Sequence, residues 1–273
     1  NSQELANTAW AFAPAGEAAP KLVGANARTA EQRVGDFNAQ GLANTAWAFA
    51  TAGYAAPELF GAIARTAEQR IDEFSEQQIA MTAWALALAG TSSQHWRGTV
   101  CTLAERALES PMHGEAECNT AVARALLTAR LLTADESHAF AARVNALLER
   151  VRARASPSIG VVSSRAHLEL SAALRAAGWQ HECEVPLEGG LLVLDMACTS
   201  SRVAVEFDGP SNHLHHVATG EELYNGSTLW KTRVLEASGW CVHRVGWRQW
   251  AAVQGTVNCE HRAAFVKHLV DAL

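Results

Sequence analysis

Asn7-Thr8-Ala9-Trp10-Ala11-Phe12-Ala13 recurs as Asn44-Thr45-Ala46-Trp47-Ala48-Phe49-Ala50, and again, worn, as Met81-Thr82-Ala83-Trp84-Ala85-Leu86-Ala87. The tryptophans stand 37 residues apart both times. A fixed period of this size is the signature of an α-solenoid of helical hairpins, in which each unit buries its apolar face only against its neighbours. Alanine-rich runs with aromatic residues at helical spacing predict first helices over 3–13, 40–51 and 77–89. Gly16, Gly53 and Gly90 follow them, where a helix C-cap belongs. Second helices are predicted near 18–35 and 55–72, with Pro20 and Pro57 in the first turn, where proline is tolerated.

Asn119-Thr120-Ala121 keeps part of the phrase, so a fourth, degenerate unit with helices near 95–109, 115–132 and 135–154 completes the array. The periodicity ends at Ala155-Ser156-Pro157-Ser158, which divides the chain into a helical repeat array over 1–154 and a second domain over 160–273. A tryptophan fixed in every unit is expected to pack between units. Asn7 and Asn44 recur too, and two readings stand for them: amides offered to base edges, or caps and inter-helix bonds.

The bulk composition sets limits. With 273 residues, 49% apolar and 18% charged, the chain is globular rather than disordered. No apolar run is long enough to span a bilayer, so no membrane partner is expected. The six cysteines are scattered, without a Cys-x-x-Cys pair, which argues for reduced thiols rather than a zinc site or disulfide framework. Net charge is −6, and both halves are acidic. Such a balance disfavours a loose electrostatic hold on nucleic acid and leaves a local basic strip or base contacts. The chain starts within a repeat and lacks an initiator Met. It is therefore expected to be part of a longer protein whose targeting peptide is missing.

The second domain has another rhythm. A helix over 164–177 is followed by strand-like runs at 181–186, 190–198 and 202–208, then a loop rich in His and Gly, a helix over 227–238, a strand at 240–246 and a last helix over 258–272. That pattern is a small α/β domain. In Val203-Ala204-Val205-Glu206-Phe207-Asp208-Gly209-Pro210, a period of two puts Glu206 and Asp208 on one face. A tight turn at Ser200-Ser201 would set Asp195 directly across from Glu206, with Cβ atoms about 5 Å apart. Three converging carboxylates need a cation, a proton or a basic neighbour. Mg²⁺ is one solution, and His213 and Lys231 are near enough in sequence to be others. The plainer reading, solvated carboxylates at a strand end, stands beside it. The four tryptophans Trp230, Trp240, Trp247 and Trp250 are expected in the core or at an interface.

An ordered series of motifs then carries a resemblance: Glu206-Phe207-Asp208-Gly209-Pro210-Ser211 with His213; Asn225-Gly226-Ser227-Thr228-Leu229-Trp230-Lys231-Thr232-Arg233-Val234-Leu235; Gly239-Trp240; and Val242-His243-Arg244-Val245 with Trp247 and Trp250. Over about 190–250 the chain resembles the RAP domain, an RNA-binding module of organelle-targeted proteins. One departure is Asn212, which stands between Ser211 and His213. The 37-residue repeat is similar to the heptatricopeptide and octotricopeptide repeats that accompany such domains.

The resemblance implies RNA-binding work in a mitochondrion or plastid: processing, stability or translation of organellar mRNA or rRNA, or a place in the organelle ribosome among ribosomal proteins. It implies RNA contacts at Lys231, Arg233 and Arg244, joined by Asn7 and Asn44 of the repeats, and no required cofactor. The RAP fold also resembles the restriction-endonuclease-like fold. By that likeness Asp195, Glu206 and Asp208 stand at metal-binding positions, Asp195 and Glu206 foremost, with His213 and Lys231 nearby. The alternative function is thus a Mg²⁺-dependent endoribonuclease, although Asp208 stands where that fold usually carries a lysine. A second alternative is a structural subunit of a large ribonucleoprotein assembly.

Overall fold

The computed structural model describes residues 20–90, 95–109, 116–132, 138–155, 164–215, 222–254 and 259–273. Asn7 and Trp10 lie outside them. The chain forms two compact units, one of residues 1–156 with 213–234, the other of residues 157–212 with 235–273. The described part of the first unit holds seven helices in succession: α1 (Pro20–Gln32), α2 (Ala39–Thr51), α3 (Pro57–Gln69), α4 (Glu76–Ala89), α5 (His95–Glu109), α6 (Ala116–Leu131) and α7 (His138–Arg152).

Local signals recur with the period. Asn38 caps α2 by accepting the Gly41 N–H at 2.8 Å. Its counterpart Ser75 caps α4 in a reciprocal box with Gln78. Each such bond satisfies an amide that the first helical turn leaves without a partner. Short 3₁₀ turns, Val34–Asp36 and Ile71–Glu73, follow α1 and α3. Gly90 closes α4 in the left-handed conformation, φ 51°, which only glycine adopts freely.

The helices pack in two rows. α2, α4 and α6 are neighbours in one, and α1, α3, α5 and α7 in the other. Alanine lets them approach closely: Ala43, Ala46, Ala83, Ala85 and Ala87 of α2 and α4 are buried, with Phe49 and Leu86. Guanidinium groups tie successive hairpins together. Arg70 donates to the Phe37 carbonyl at 2.8 Å and Arg97 to that of Leu132 at 2.6 Å. Arg143 holds Glu105 through two bonds of 2.9 and 2.8 Å.

The second unit begins with α8 (Arg165–Ala176), capped by Ser164, followed by β1 (Glu182–Leu187), β2 (Leu192–Cys198) and β3 (Val203–Asp208). The chain then passes back to the first unit as a hairpin, β4 (His213–His215) and β5 (Glu222–Tyr224), and the helix α9 (Gly226–Ala237) as far as Val234. It ends as β6 (Cys241–Gly246), α10 (Trp247–Gln254) and α11 (Cys259–Ala272) in the second unit. The sheet order is β1-β2-β3-β6, antiparallel except for the parallel pair of β3 with β6. One sheet face carries Met196, Val205 and Val245, packed with Leu170 and Leu174 of α8, Trp250 of α10 and Val266 of α11. The hairpin and α10 stand where the sequence pattern suggested only loop.

Candidate functional site

The helical face of the sheet takes the odd-numbered residues of β3. Val205 is in the core and Phe207 packs against it, so Ala204, Glu206 and Asp208 point to the other face. The β2–β3 register, Met196 opposite Val205 and Ala197 opposite Ala204, sets Asp195 across from Glu206. There the paired backbone gives way to side chains. The Asp195 carboxylate accepts the Phe207 N–H at 2.8 Å, and Glu206 Oε1 accepts the Asp195 N–H at 3.3 Å. The two acids thus bridge the ends of β2 and β3.

Asp208 has a different partner. The parallel register places Arg244 beside Glu206 on the same face, and Arg244 Nη1 donates to Asp208 Oδ1. The Asp208 side chain is 1% exposed and that of Arg244 11%. A carboxylate this deep needs a paired cation, because the desolvation of an unpaired one costs several kcal/mol. Arg244 is therefore the basic neighbour that the acidic face requires. Its signal in the sequence was its place in β6, legible only once β3 and β6 are paired in parallel.

A divalent cation would have to share these carboxylates with the groups they already hold. A magnesium ion needs carboxylate oxygens open to it and to its waters. Here Asp195 and Glu206 accept opposing amides, and Asp208 faces a guanidinium. Among the described residues no group of three or more His, Cys, Asp or Glu is placed to hold a metal.

The other candidate residues sit in the first unit. His213 opens β4 with its ring 4.9 Å from that of Tyr224. Asn212, just before it, closes the turn after β3: its side chain accepts the Gly209 N–H at 3.0 Å. Lys231 is half-buried on α9. Arg233, two residues on, donates to the carbonyls of Ala87 and Ala89 at 3.4 Å each, and to that of Leu88 between them. These are end carbonyls of α4, the negative pole of that helix. Burial pushes the Arg233 pKa below the usual guanidinium range. Asn44 lies in a chain of amides: Gln40 donates to its Oδ1 at 2.8 Å, and Gln78 of α4 donates to Gln40 at 3.0 Å.

From Gly226 to Arg233, α9 is fixed to the α2–α4–α6 row. A Cβ at Gly226 would collide with the Ala50 carbonyl of α2. Trp230 is buried, meets Trp84 edge-on at 4.5 Å, and donates its indole N–H to Thr128 of α6 at 2.7 Å. Arg124 of α6 lies over the Trp84 ring at 5.9 Å. The repeated tryptophan is thus half-buried at both Trp47 and Trp84 rather than enclosed between hairpins. The position two residues on, Phe49 and Leu86, fills the space between helices instead.

Residues 205–265 match the family model of the RAP domain. The chain therefore carries a RAP domain, a class of domain that generally binds RNA. The match runs from β3 into α11 and takes in Glu206, Asp208, His213, Lys231, Arg233 and Arg244; Asp195 lies ahead of it. No curated protein matches the chain. Among the described residues no helix is long and apolar enough to cross a membrane.

Proposed function

We propose that this chain is an RNA-binding protein of a mitochondrion or plastid, acting on organellar mRNA or rRNA in processing, stability or translation. The observation that carries the reading is the RAP domain at residues 205–265. The 37-residue period supports it. About four repeated hairpins of the heptatricopeptide or octotricopeptide kind form an α-solenoid that offers one similar surface per unit. Other helical-repeat proteins read single-stranded RNA at about one nucleotide per unit.

The reading of RNA binding without cleavage draws support from one of the three acids, Asp208. A metal-assisted hydrolase needs carboxylates free to bind the ion that activates water, and Arg244 already neutralises Asp208. A place in the organelle ribosome beside ribosomal proteins is a form of the same function, and cosedimentation with ribosomal particles distinguishes it from a free regulator. The test of the whole reading is fluorescence anisotropy of the chain with labelled organellar transcripts across a salt series. Saturable binding that weakens with salt is expected. No saturation at low salt refutes it.

A further inference from the structure

Ahead of the RAP residues, α8 and β1 enclose a polar seam. His167, Ser171 and Arg175 stand four residues apart on one face of α8, against His181, Cys183 and Glu184. Ser171 is buried, and its Oγ lies 2.8 Å from His181 Nε2. His181 Nδ1 lies 3.1 Å from the Trp179 carbonyl. A carbonyl only accepts, so Nδ1 carries the ring proton and Nε2 presents a lone pair. The Ser171 hydroxyl donates to that lone pair. Its oxygen is then left to accept the S–H of Cys183, 3.3 Å away. Arg175 Nη2 approaches the same sulfur at 3.4 Å.

We propose that Cys183 is a reactive thiol, with Ser171 relaying its proton to His181 and Arg175 facing the thiolate, and that small hydroperoxides oxidise it. Cys183 is half-buried, which suits a reagent of that size. The thiolate attacks one oxygen of hydrogen peroxide and the O–O bond breaks. Sulfur becomes a sulfenic acid, and the hydroxide that leaves takes the proton held on His181 to become water. The sulfur is oxidised, the peroxide is reduced, and excess thiol restores the starting state.

The surroundings keep His181 neutral at rest. Desolvation holds its pKa below the ordinary value, partly opposed by the bond to Trp179, with Arg175 and His167 adding to the depression. The ring is thus neutral near pH 7 and free to accept a proton. Of the charged groups facing it, Glu184 is turned to His167, 3.5 Å from its Nδ1.

The experiment treats the whole chain with dilute hydrogen peroxide, traps sulfenic acid with dimedone and follows each cysteine by mass spectrometry. Cys183 is expected to react ahead of Cys118 and Cys241. In Ser171→Ala its rate should fall about 100-fold, the lower range of what a positioned base contributes. Arg175 is exposed, so Arg175→Gln tests the second contact without disturbing the core, and Arg175→Lys should restore part of the rate. The trapping rate at Cys198, on the β2–β3 turn, should not change in any of these variants. Two results overturn the proposal: Cys183 reacting no faster than Cys118 and Cys241 in the native chain, or its rate surviving both Ser171→Ala and Arg175→Gln.

Discussion

Replacing Arg244 separates two roles for that residue. As an RNA contact, Arg244→Met would weaken binding and leave stability alone. As the partner of a buried acid, it does the reverse. Asp208 is 1% exposed and Arg244 11%, so the variant strands a carboxylate away from water with no cation. Breaking such a pair costs about 3–5 kcal/mol. The lower end applies here, because the guanidinium lies nearer the surface and water can reach the gap. Removing both charges lifts the penalty: Asp208→Leu with Arg244→Met should recover most of the loss, since apolar replacements of buried pairs are often neutral. Urea unfolding followed by tryptophan fluorescence gives the stabilities, and RNA anisotropy below the unfolding transition gives affinity. A single variant within about 1 kcal/mol of the native chain, the scale of an exposed ion pair, with its RNA binding lost, would falsify the assignment of Arg244 to Asp208.

Trp230→Phe keeps a ring against Trp84 but loses the bond to Thr128; a double-mutant cycle with Thr128→Val should return a coupling of about 1 kcal/mol, measured by urea unfolding. Gly226→Ala drives a Cβ into the Ala50 carbonyl and should destabilise the first unit by about 1–3 kcal/mol, seen as faster proteolysis at α9. The Ser200 hydroxyl, 3.3 Å from Cys198 Sγ, is the foremost of the neighbours that bring this thiol down to about 7, followed by Ser201. The thiol's alkylation rate should therefore rise through pH 7, and Ser200→Ala should move that rise to higher pH, as read by iodoacetamide labelling across a pH series.

The helices α2, α3 and α4 were legible because they rest on local signals that recur with the period. Asn38 and Ser75 cap α2 and α4, Pro57 opens α3, and Gly90 ends α4. The β2–β3 register followed from alternation and a short turn, so the facing of Asp195 and Glu206 could be foreseen. The partner of Asp208 could not. It depends on β6 returning parallel to β3, and nothing within either strand encodes which neighbour it will find. The intramolecular partners of Arg233 and Arg244 were hidden in the same way: sequence displays a charge, whereas only packing reveals the carbonyls or the carboxylate that it meets.

The course of 213–234 is the clearest case. As a sequence it continues the second domain; as a structure it packs with the helix rows. The physical hint was present in the repeat. Small residues recur at Ala50 and Gly53, and again at Ala87 and Gly90, leaving room at the ends of α2 and α4. A helix laid across neighbours 8–10 Å apart must renew its contacts at about that interval. With a rise of 1.5 Å per residue, seven residues advance about 10 Å. Gly226 lies at the end of α2 and Arg233, seven residues on, at the end of α4. α9 therefore meets the repeat at the repeat's own lateral spacing. That match explains how a RAP segment can use a 37-residue helical array as its seat, and why Trp230 arrives between the two contacts, against Trp84 and Thr128.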